Sequence, residues 1–459
     1  MGVKAGQKGQ RSAHQATAAH PRPVVAALLV WVLAACIAGT PTASPAATPE
    51  PSPTSALSPT PSSRPSPTPS PTPIPQAKPP GPGIDWLRQF GTSHFDTADA
   101  VAADGSGAYV VVNSRYGAGS IDAFVRKHDP DGAELWSHQI GASEYVYASA
   151  VAADASGVYV AGRTSGSLPG QTSGGGAFVR KYDPEGTELW THQFGGSAGY
   201  ASAVTVVASG VYVAGWTGGT LSGQTSAGGH DAFLRKYNPD GTELWTRQFG
   251  SSDGDHARDL AADASGVYVL GSTFSAGTDD EYRDAFVRKY DPGGAELWTH
   301  QFDTPDEATA VAADGSGVYV AGSIAGVLPG QASAGGTDAA VRKYDPAGRW
   351  LWTRQFGSPE HDFAWAVAAD ASGVYLAGWT EGILPGQTSA GGYRDAFVRK
   401  YDPNGSELWT DQIGSSENVD ALALAGGASG VYVAGYTSGT LPGQTSAGDG
   451  DAFLVKYDL

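Results

Sequence analysis

Short apolar runs separated by turn residues recur along the chain from residue 84 onward, with a period of roughly fifty residues. Each period contains four such runs: a run of small residues such as SAVAAD, then GVYVAG, DAFVRKYD and ELWTHQFG. Val, Tyr, Phe and Trp favour strands, and runs that are apolar on both sides are typical of sheets covered on both faces. The pattern therefore predicts an all-β chain with four strands in each repeat.

Two aromatic landmarks show that the repeat occurs seven times. A tryptophan marks the fourth run at Trp86, Trp136, Trp190, Trp245, Trp298, Trp352 and Trp409. A tyrosine marks the second run at Tyr109, Tyr159, Tyr212, Tyr268, Tyr319, Tyr375 and Tyr432. A period of this length made of short strands indicates the blades of a β-propeller, where a first strand of small residues suits the crowded axis. We therefore predict a seven-bladed β-propeller of four-stranded antiparallel blades.

The two ends of the repeat region carry the two halves of one hairpin. The region begins with IDWLRQF at Ile84–Phe90, which is a fourth strand without its third. It finishes with DAFLVKYDL at Asp451–Leu459, which is a third strand without its fourth. Pairing the two halves would remove the open sheet edges that invite aggregation. We expect the N-terminal strand to complete the C-terminal blade and close the ring.

The connections between strands are of two kinds. Segments such as DASG at 154–157 and DPEG at 183–186 match type I turn preferences, so they predict tight hairpins. Connections from the second to the third strand are long and usually contain LPG, and those between repeats are irregular. In a radial blade the tight hairpins lie on one face and the long connections on the other, here called the loop face. Variation is concentrated on the loop face, where binding usually occurs.

The combination of DAFVRKYDPxGxELWTxQFG, SGVYVAG and an LPG-containing loop resembles the bacterial seven-bladed β-propeller repeat family, often called SBBP repeats. The resemblance covers residues 84–459 and recurs throughout them. It implies the propeller fold and an envelope or secreted location. Members of that family mostly have no assigned chemistry, so the resemblance implies little about activity.

The first 83 residues differ from the repeats. Residues 1–22 are basic without an acidic residue, and the apolar run at 23–35 is too short for a comfortable membrane span and ends on LAAC at 33–36. This resembles a bacterial lipobox and predicts a lipoprotein-type signal peptide over 1–36 with a lipidated Cys36, although an ordinary signal peptide with an incidental cysteine is the alternative. Residues 37–83, rich in Pro, Ser and Thr, predict a disordered linker before a propeller over 84–459. The protein is then exported and lipid-anchored at the bacterial cell membrane or cell surface.

The charge of the chain excludes some classes of partner. The formal net charge is −18, and it becomes −22 without residues 1–35, which hold four basic residues and no acidic ones. Such an acidic surface disfavours nucleic acid. Turn chemistry explains the Asp-rich hairpins, so no metal site and no cofactor is assigned, and the acidic stretches 253–256 and 279–281 are the better calcium candidates. We expect a monomer.

Positions that differ between repeats are the better candidates for function. The residue just after the second strand is Asn113, Arg163, Trp216, Ser272, Ser323, Trp379 or Tyr436, and we expect this set to ring the mouth of the central channel on the loop face. Nearby connections add aromatic residues, including Trp365 and Tyr393. The candidate ligand-binding residues are Arg163, Trp216, Trp379, Tyr436, Asn113, Trp365 and Tyr393. Aromatic residues beside acids suit sugar stacking or a protein partner, and packing under long loops is the alternative.

The sequence favours a non-enzymatic binding or scaffold protein of the cell surface, with an envelope glycan or protein as ligand. The first alternative is a hydrolase or lyase acting on polysaccharide, for which the local acid/base clusters are Asp255 with His256 and the stretch Glu360, His361 and Asp362. A purely structural envelope component is the second. No nucleophile elbow, zinc-protease or phosphate-loop motif occurs, so no catalytic residue is assigned. The Gln that recurs on the fourth strand is interpreted as structural, because a catalytic group acts at one place.

Overall fold

The structure is a computed structural model that describes residues 83–116, 120–141, 145–274, 283–302, 307–427 and 429–458. The predictions of a signal peptide over 1–36 and of lipidation at Cys36 lie outside the described residues, as does the predicted linker over 37–83 except for Gly83. Within them, 28 strands numbered in chain order form seven four-stranded antiparallel sheets. The only helical element described is the short 3-10 turn Gly196–Ala198. No helix in the described part of the chain is long and apolar enough to cross a bilayer.

The seven sheets are the blades, and each contributes one strand to each radial position. The first strands are β2 (Phe95–Asp104), β6 (Val146–Asp154), β10 (Tyr200–Val207), β14 (Asp255–Asp263), β18 (Glu307–Asp314), β22 (Asp362–Asp370) and β26 (Val419–Gly427). The second strands are β3 (Gly107–Tyr116), β7 (Gly157–Thr164), β11 (Gly210–Thr217), β15 (Gly266–Phe274), β19 (Gly317–Ile324), β23 (Gly373–Thr380) and β27 (Gly430–Thr437). The third strands are β4 (Ser120–His128), β8 (Gly176–Tyr182), β12 (Asp231–Tyr237), β16 (Arg283–Tyr290), β20 (Asp338–Tyr344), β24 (Asp395–Tyr401) and β28 (Asp451–Tyr457). The fourth strands are β5 (Glu134–Gln139), β9 (Glu188–Phe194), β13 (Glu243–Phe249), β17 (Glu296–Phe302), β21 (Trp350–Phe356), β25 (Glu407–Ile413) and β1 (Ile84–Phe90).

The small residues of the first strands surround a central channel, as predicted. Toward the face of the tight hairpins the channel widens to a cavity of about 1080 Å³, lined by positions such as Ala102, Ala152 and Ala261. Toward the loop face it narrows to about 320 Å³. The second-strand tyrosines, such as Tyr109 and Tyr375, are fully buried inside the blades. The prediction of a seven-bladed propeller with the first strand innermost is confirmed.

The ring closes through the two halves of the divided hairpin. Strand β1 pairs antiparallel with β28, with Trp86 opposite Lys456 and Phe90 opposite Ala452. The blade order is β1-β28-β27-β26, so the N-terminal strand is the outermost strand of the seventh blade. The predicted closure is confirmed.

A repeated contact joins neighbouring blades at six of the seven blade junctions, all except that between blades six and seven. In blade one, the Lys127 ammonium and the Trp136 indole N–H both donate to the carbonyl oxygen of Pro184, in the third-to-fourth hairpin of blade two, at 3.0 and 3.1 Å. Lys456 and Trp86 of blade seven donate in the same way to Pro130 of blade one, at 3.2 and 2.8 Å. The contact therefore runs across the closure as well. We call it the proline latch.

The repeated fourth-strand glutamines hold the LPG loops. The Gln193 side chain accepts from the Leu168 N–H at 3.0 Å and donates to the Gly166 carbonyl at 2.8 Å. The loop's own Gln171 returns the contact, because its Oε1 accepts from the backbone N–H of Gln193 at 3.2 Å. These bonds fasten the loop to the outer strand and bury Leu168. They account for both repeated glutamines structurally.

Candidate binding face at the channel mouth

A β-bulge interrupts each first strand near its loop-face end. The pairing with the second strand skips one residue in all seven blades, for example between Ala148 and Ala150. A bulge leaves the extra residue unpaired in the ladder and redirects its side chain. The seven bulge residues line the narrow section of the channel: Asp99, Ser149, Ser202, Arg258, Thr309, Trp365 and Leu422. We call this set the bulge ring.

Three members of the bulge ring connect neighbouring blades. The Ser149 hydroxyl donates to the Ala201 carbonyl at 2.6 Å, and Ser202 donates to Ala257 at 2.7 Å. Thr309 donates to the Ala364 carbonyl at 2.6 Å. Each acceptor belongs to the alanine that precedes the bulge of the next blade. These hydroxyls therefore join the first strands of neighbouring blades at the channel mouth.

The other four members present different chemistry to the channel. Asp99 supplies a carboxylate, held by the side chains of Asn113 and Thr97, and Arg258 supplies a guanidinium whose Nε lies 3.2 Å from the Ser272 hydroxyl. Trp365 and Leu422 supply an indole and an isobutyl group. Trp365 is 38% exposed, so much of its ring is accessible. Blades one and four are as far apart as a seven-membered ring allows, so the opposite charges of Asp99 and Arg258 lie on different sides of the channel.

A second carboxylate lies beside the bulge ring in blade four. Asp259 follows the bulge residue at a position where the other six blades have alanine. Its carboxylate accepts the backbone N–H groups of Val311 at 2.7 Å and Leu260 at 2.8 Å. Burial deep in the propeller nevertheless raises the pKa of Asp259 to about 6. Burial also raises the pKa of Asp99, opposed by hydrogen bonds from Asn113 and Thr97.

The residues predicted to ring the channel mouth lie elsewhere. They belong to the second strands, one layer outward, and face the partner position on the first strand, as Trp216 faces Tyr200 and Trp379 faces Phe363. The bulge ring occupies the mouth instead. The prediction was wrong because the bulge turns a first-strand residue inward, whereas second-strand side chains at this level fill the space between adjacent blades.

Two of the predicted residues are buried. Asn113 is fully buried, and its amide bridges Asp99 at 2.5 Å and the Ala148 carbonyl of blade two at 2.8 Å. Trp379 is 8% exposed, with its ring stacked on Phe363 at 4.4 Å and covered by Arg394 at 4.5 Å. As placed, both side chains support the face rather than present a surface to a ligand.

The remaining predicted residues reach the loop face. The Trp216 ring is half-buried and stacks on His256 of blade four at 4.6 Å. Arg163 is exposed, with its guanidinium 4.9 Å from the Tyr145 ring. Tyr436 is half-buried and donates to Asp420 at 2.8 Å, and Tyr393 is 63% exposed. Aromatic residues therefore surround the bulge ring on several blades.

In both clusters considered for acid/base catalysis, the aspartate carboxylate makes structural hydrogen bonds. The Asp255 carboxylate accepts the backbone N–H and hydroxyl of Ser251, at 2.6 and 2.9 Å. Asp362 accepts the same groups of Ser358, at 2.7 and 3.1 Å. Both carboxylates are buried and fasten the connection that enters their blade. The acidic stretch 279–281 lies outside the described residues, and those that are described contain no group of three or more His, Cys, Asp or Glu suited to a metal ion.

Six of the seven members of the bulge ring were missed from the sequence. The signal was present: the first strands read ADAVAAD at 98–104, ASAVAAD at 148–154, ATAVAAD at 308–314 and AWAVAAD at 364–370. One position varies within a heptapeptide that is otherwise nearly constant. Only Trp365 was selected, because it is aromatic.

The fold and this face define a class: a seven-bladed β-propeller with a variable ring at the mouth of its channel. No family model matches the chain. Part of the chain is similar to Regulatory protein FlaEY of Caulobacter vibrioides, with 32% identity over 164 residues that cover 32% of this chain and 17% of that protein. The chain thus matches less than a fifth of the relative's length.

Solved structures match this chain at low identity. The WD40 propeller domain of Doa1 matches with a TM-score of 0.45 and 12% identity, over 82% of this chain and 97% of that chain. The phage phi92 endosialidase matches with a TM-score of 0.45 and 10% identity, over 82% of this chain and 69% of that chain. The blade count given above follows from the strand pairing.

Proposed function

We propose that the protein is a non-enzymatic binding module whose ligand enters the channel mouth from the loop face. The bulge ring is the observation that carries the proposal. Every neighbouring position is nearly constant from blade to blade, because each blade needs the same packing. At the bulge, the seven blades carry six different residue types at one structural position. A rigid scaffold that presents a variable set of side chains around a concave opening is typical of a binding site.

The chemistry of the ring favours a glycan as the ligand. Carboxylates at Asp99 and Asp259 can accept sugar hydroxyls, and the guanidinium of Arg258 can donate to them. The accessible indole of Trp365 provides an apolar face for a sugar ring. The narrow section, about 320 Å³, holds a unit of monosaccharide to disaccharide size rather than a protein domain. Partial similarity to a protein named as regulatory also supports a binding role.

The location of the protein belongs to the same proposal. SBBP-type repeats and the LAAC motif at 33–36 support export and lipid attachment at Cys36, with the Pro-rich stretch 37–83 as a spacer from the membrane. In a bacterial host, Cys36 should incorporate a labelled fatty acid and the protein should partition into detergent. A Cys36→Ser variant is expected to lose both. Equal labelling of the variant would contradict lipid attachment at this residue.

Trp365→Ala is expected to weaken glycan binding at least tenfold, because it removes the accessible ring at the channel mouth. A tenfold change corresponds to about 1.4 kcal/mol of binding free energy. The measurement is a titration against the strongest hit from an array of hexose, hexosamine and uronic-acid oligosaccharides. Leu189→Ala is the matched control, since Leu189 is 51% exposed on an outer strand far from the channel.

Two results would count against the proposal. If Trp365→Ala and Leu189→Ala bind the oligosaccharide equally well, the channel mouth is not the site. If no oligosaccharide binds the wild-type protein, the glycan assignment fails and the structural alternative gains support.

A further inference from the structure

Blade five departs from the other six at one packed position. The third strand carries phenylalanine in six blades, at Phe124, Phe178, Phe233, Phe286, Phe397 and Phe453. Blade five has Ala340 there. Elsewhere this ring packs against the end of the preceding blade's fourth strand, as Phe233 does on Phe194 at 5.4 Å and Phe397 on Phe356 at 5.5 Å. Blade four supplies the usual partner ring, Phe302, but blade five supplies only a methyl group.

The missing ring leaves an apolar pocket between blades four and five. It has a volume of about 30 Å³ and is lined by Phe302, Val320, Ile324, Leu328 and Ala340, with Arg342 at its edge. This volume exceeds the 10–15 Å³ or so that one water molecule needs, but the lining offers few polar partners to hold water. The pocket therefore favours an apolar occupant.

The pocket is the deep end of a larger groove. A cleft of about 530 Å³ shares Phe302, Ile324, Leu328 and Arg342 with the pocket and extends outward along blade five. Its outer lining includes Val327 and Trp350, which are 61% and 62% exposed. An apolar route therefore leads from the outer surface to the vacant ring position.

Two other residues of blade five also make this groove more apolar than its counterparts in other blades. Trp350 stands where five blades have a glutamate that pairs with the third-strand arginine, as Glu188 pairs with Arg180 at 3.4 Å. Ile324 stands where the other six second strands have Thr or Ser at the equivalent position. Together with Ala340, these changes replace a buried ring by space and polar groups by apolar ones, all along one groove. Relaxed packing alone would not also place an exposed tryptophan at the groove's outer end.

We propose that the groove between blades four and five binds a phenylalanine-type side chain presented by an extended segment of a partner protein. The fold itself identifies the occupant, because six blades fill this place with a benzyl group of their own. The cleft is too large for one side chain and fits several residues of peptide. The Pro-rich stretch 37–83 of this chain contains no Phe, Tyr or Trp, so it cannot supply the ring. This site is independent of the channel mouth.

The test uses a peptide, acetyl-Gly-Ser-Phe-Ser-Gly-amide, and its analogue with Ala in place of Phe. Saturation-transfer NMR should show that the wild-type protein binds the Phe peptide at least tenfold more tightly than the Ala peptide. Ala340→Phe restores the consensus ring, so it should raise the melting temperature and reduce binding of the Phe peptide at least tenfold. Trp350→Glu restores the glutamate of five other blades at the outer end of the groove and leaves the core unchanged. It should also weaken binding of the Phe peptide, and it provides a test if Ala340→Phe folds poorly.

Three outcomes would overturn the proposal. One is a wild-type protein that does not distinguish the two peptides. Another is a folded Ala340→Phe variant with unchanged affinity for the Phe peptide. The third is binding of free toluene with no binding of the peptide, which would assign the pocket to a small aromatic molecule. Loss of glycan binding in Trp365→Ala has no bearing on any of the three, so the two sites can fail separately.

Discussion

A chain that begins at Gly91 is expected to lose cooperative folding, whereas a chain that begins at Gly83 should retain it. The shorter chain lacks β1 and therefore leaves β28 as an unpaired edge. It also loses the Trp86 half of the proline latch to Pro130. Thermal unfolding followed by circular dichroism is the direct measurement.

The size of this effect follows from what β1 buries. Trp86 is 8% exposed and packs near Tyr432, and Leu87 and Phe90 are partly buried against neighbouring clusters. At about 1.5–3 kcal/mol for each large apolar side chain, the strand contributes on the order of 6 kcal/mol. That is comparable with the whole stability of many domains, about 5–15 kcal/mol. The Gln89 side chain also accepts the Leu441 N–H and donates to the Gly439 carbonyl. The shorter chain loses both bonds, which leaves the last LPG loop unfastened.

A rescue experiment separates closure from general damage. A synthetic peptide of residues 83–92 added to the shorter chain should raise its melting temperature toward the native value, with the logarithm of the peptide concentration once the site is mostly occupied, because binding stabilises the folded state by mass action. Equal melting temperatures for the two chains would show that the ring does not depend on this strand. Failure of the peptide to rescue would show that covalent attachment, and not pairing alone, maintains the fold.

The fold could be predicted because the same four strand patterns recur in all seven repeats. Each strand type has one composition, from the small residues of SAVAAD to the large residues of ELWTHQF, and radial position in a propeller depends on side-chain volume. The division of one hairpin between Leu459 and Ile84 predicted the closure by the same logic. None of these inferences depends on a single contact, so local variation did not obscure them.

The site was harder to predict because it depends on one inserted residue per strand. A register shift of one position exchanges the two faces of a strand. The bulge between Ala364 and Ala366 makes such a shift, and it turns Trp365 toward the channel. Without it, the variable second-strand position, such as Trp379, would be the natural candidate for the mouth. Trp379 is buried under Arg394 of the long second-to-third connection in its own blade, and the strand pattern does not predict how that connection folds back.

The repeats also separate structural residues from functional ones. Where six blades agree and one departs, as at Ala340, the six show what the fold requires and the seventh shows what it can omit. Where the seven blades carry six residue types, as in the bulge ring, packing does not fix the residue. Both proposed sites lie at positions of this kind. The proline latch is the opposite case, since it recurs from blade to blade and crosses the closure.

Trp136→Ala is expected to destabilise the propeller by about 3 kcal/mol, at the lower end of the range for removing a packed tryptophan, because this ring is only half-buried. The Trp136 ring lies 6.0 Å from Tyr109 of its own blade and 6.4 Å from Tyr182 of blade two. Its N–H donates to Pro184. For a domain of this size the change corresponds to a melting temperature lower by about 4 °C.

The turn glycine of blade two shows how closely the latch is packed. Gly186 has a φ of 90°, and a Cβ on it would lie 3.1 Å from the Trp136 ring and 2.5 Å from His138.

Leu135→Ala is the matched control for Trp136→Ala, because Leu135 precedes the tryptophan on the same strand and is 55% exposed. It should change the melting temperature by less than about 1 °C, since exposed substitutions usually cost under 0.5 kcal/mol.

Replacing the indole by phenyl isolates the hydrogen bond of the latch. Trp136→Phe removes the N–H donor but keeps a ring, and should cost about 1 kcal/mol more than Trp409→Phe. Trp409 faces blade seven, where β28 and β1 are not joined by a proline hairpin, and its ring stacks instead on Tyr457 at 5.7 Å. Equal costs for the two substitutions would mean that ring packing alone holds neighbouring blades together. A larger cost for Trp136→Phe would show that the shared proline carbonyl contributes to the strength of each blade junction.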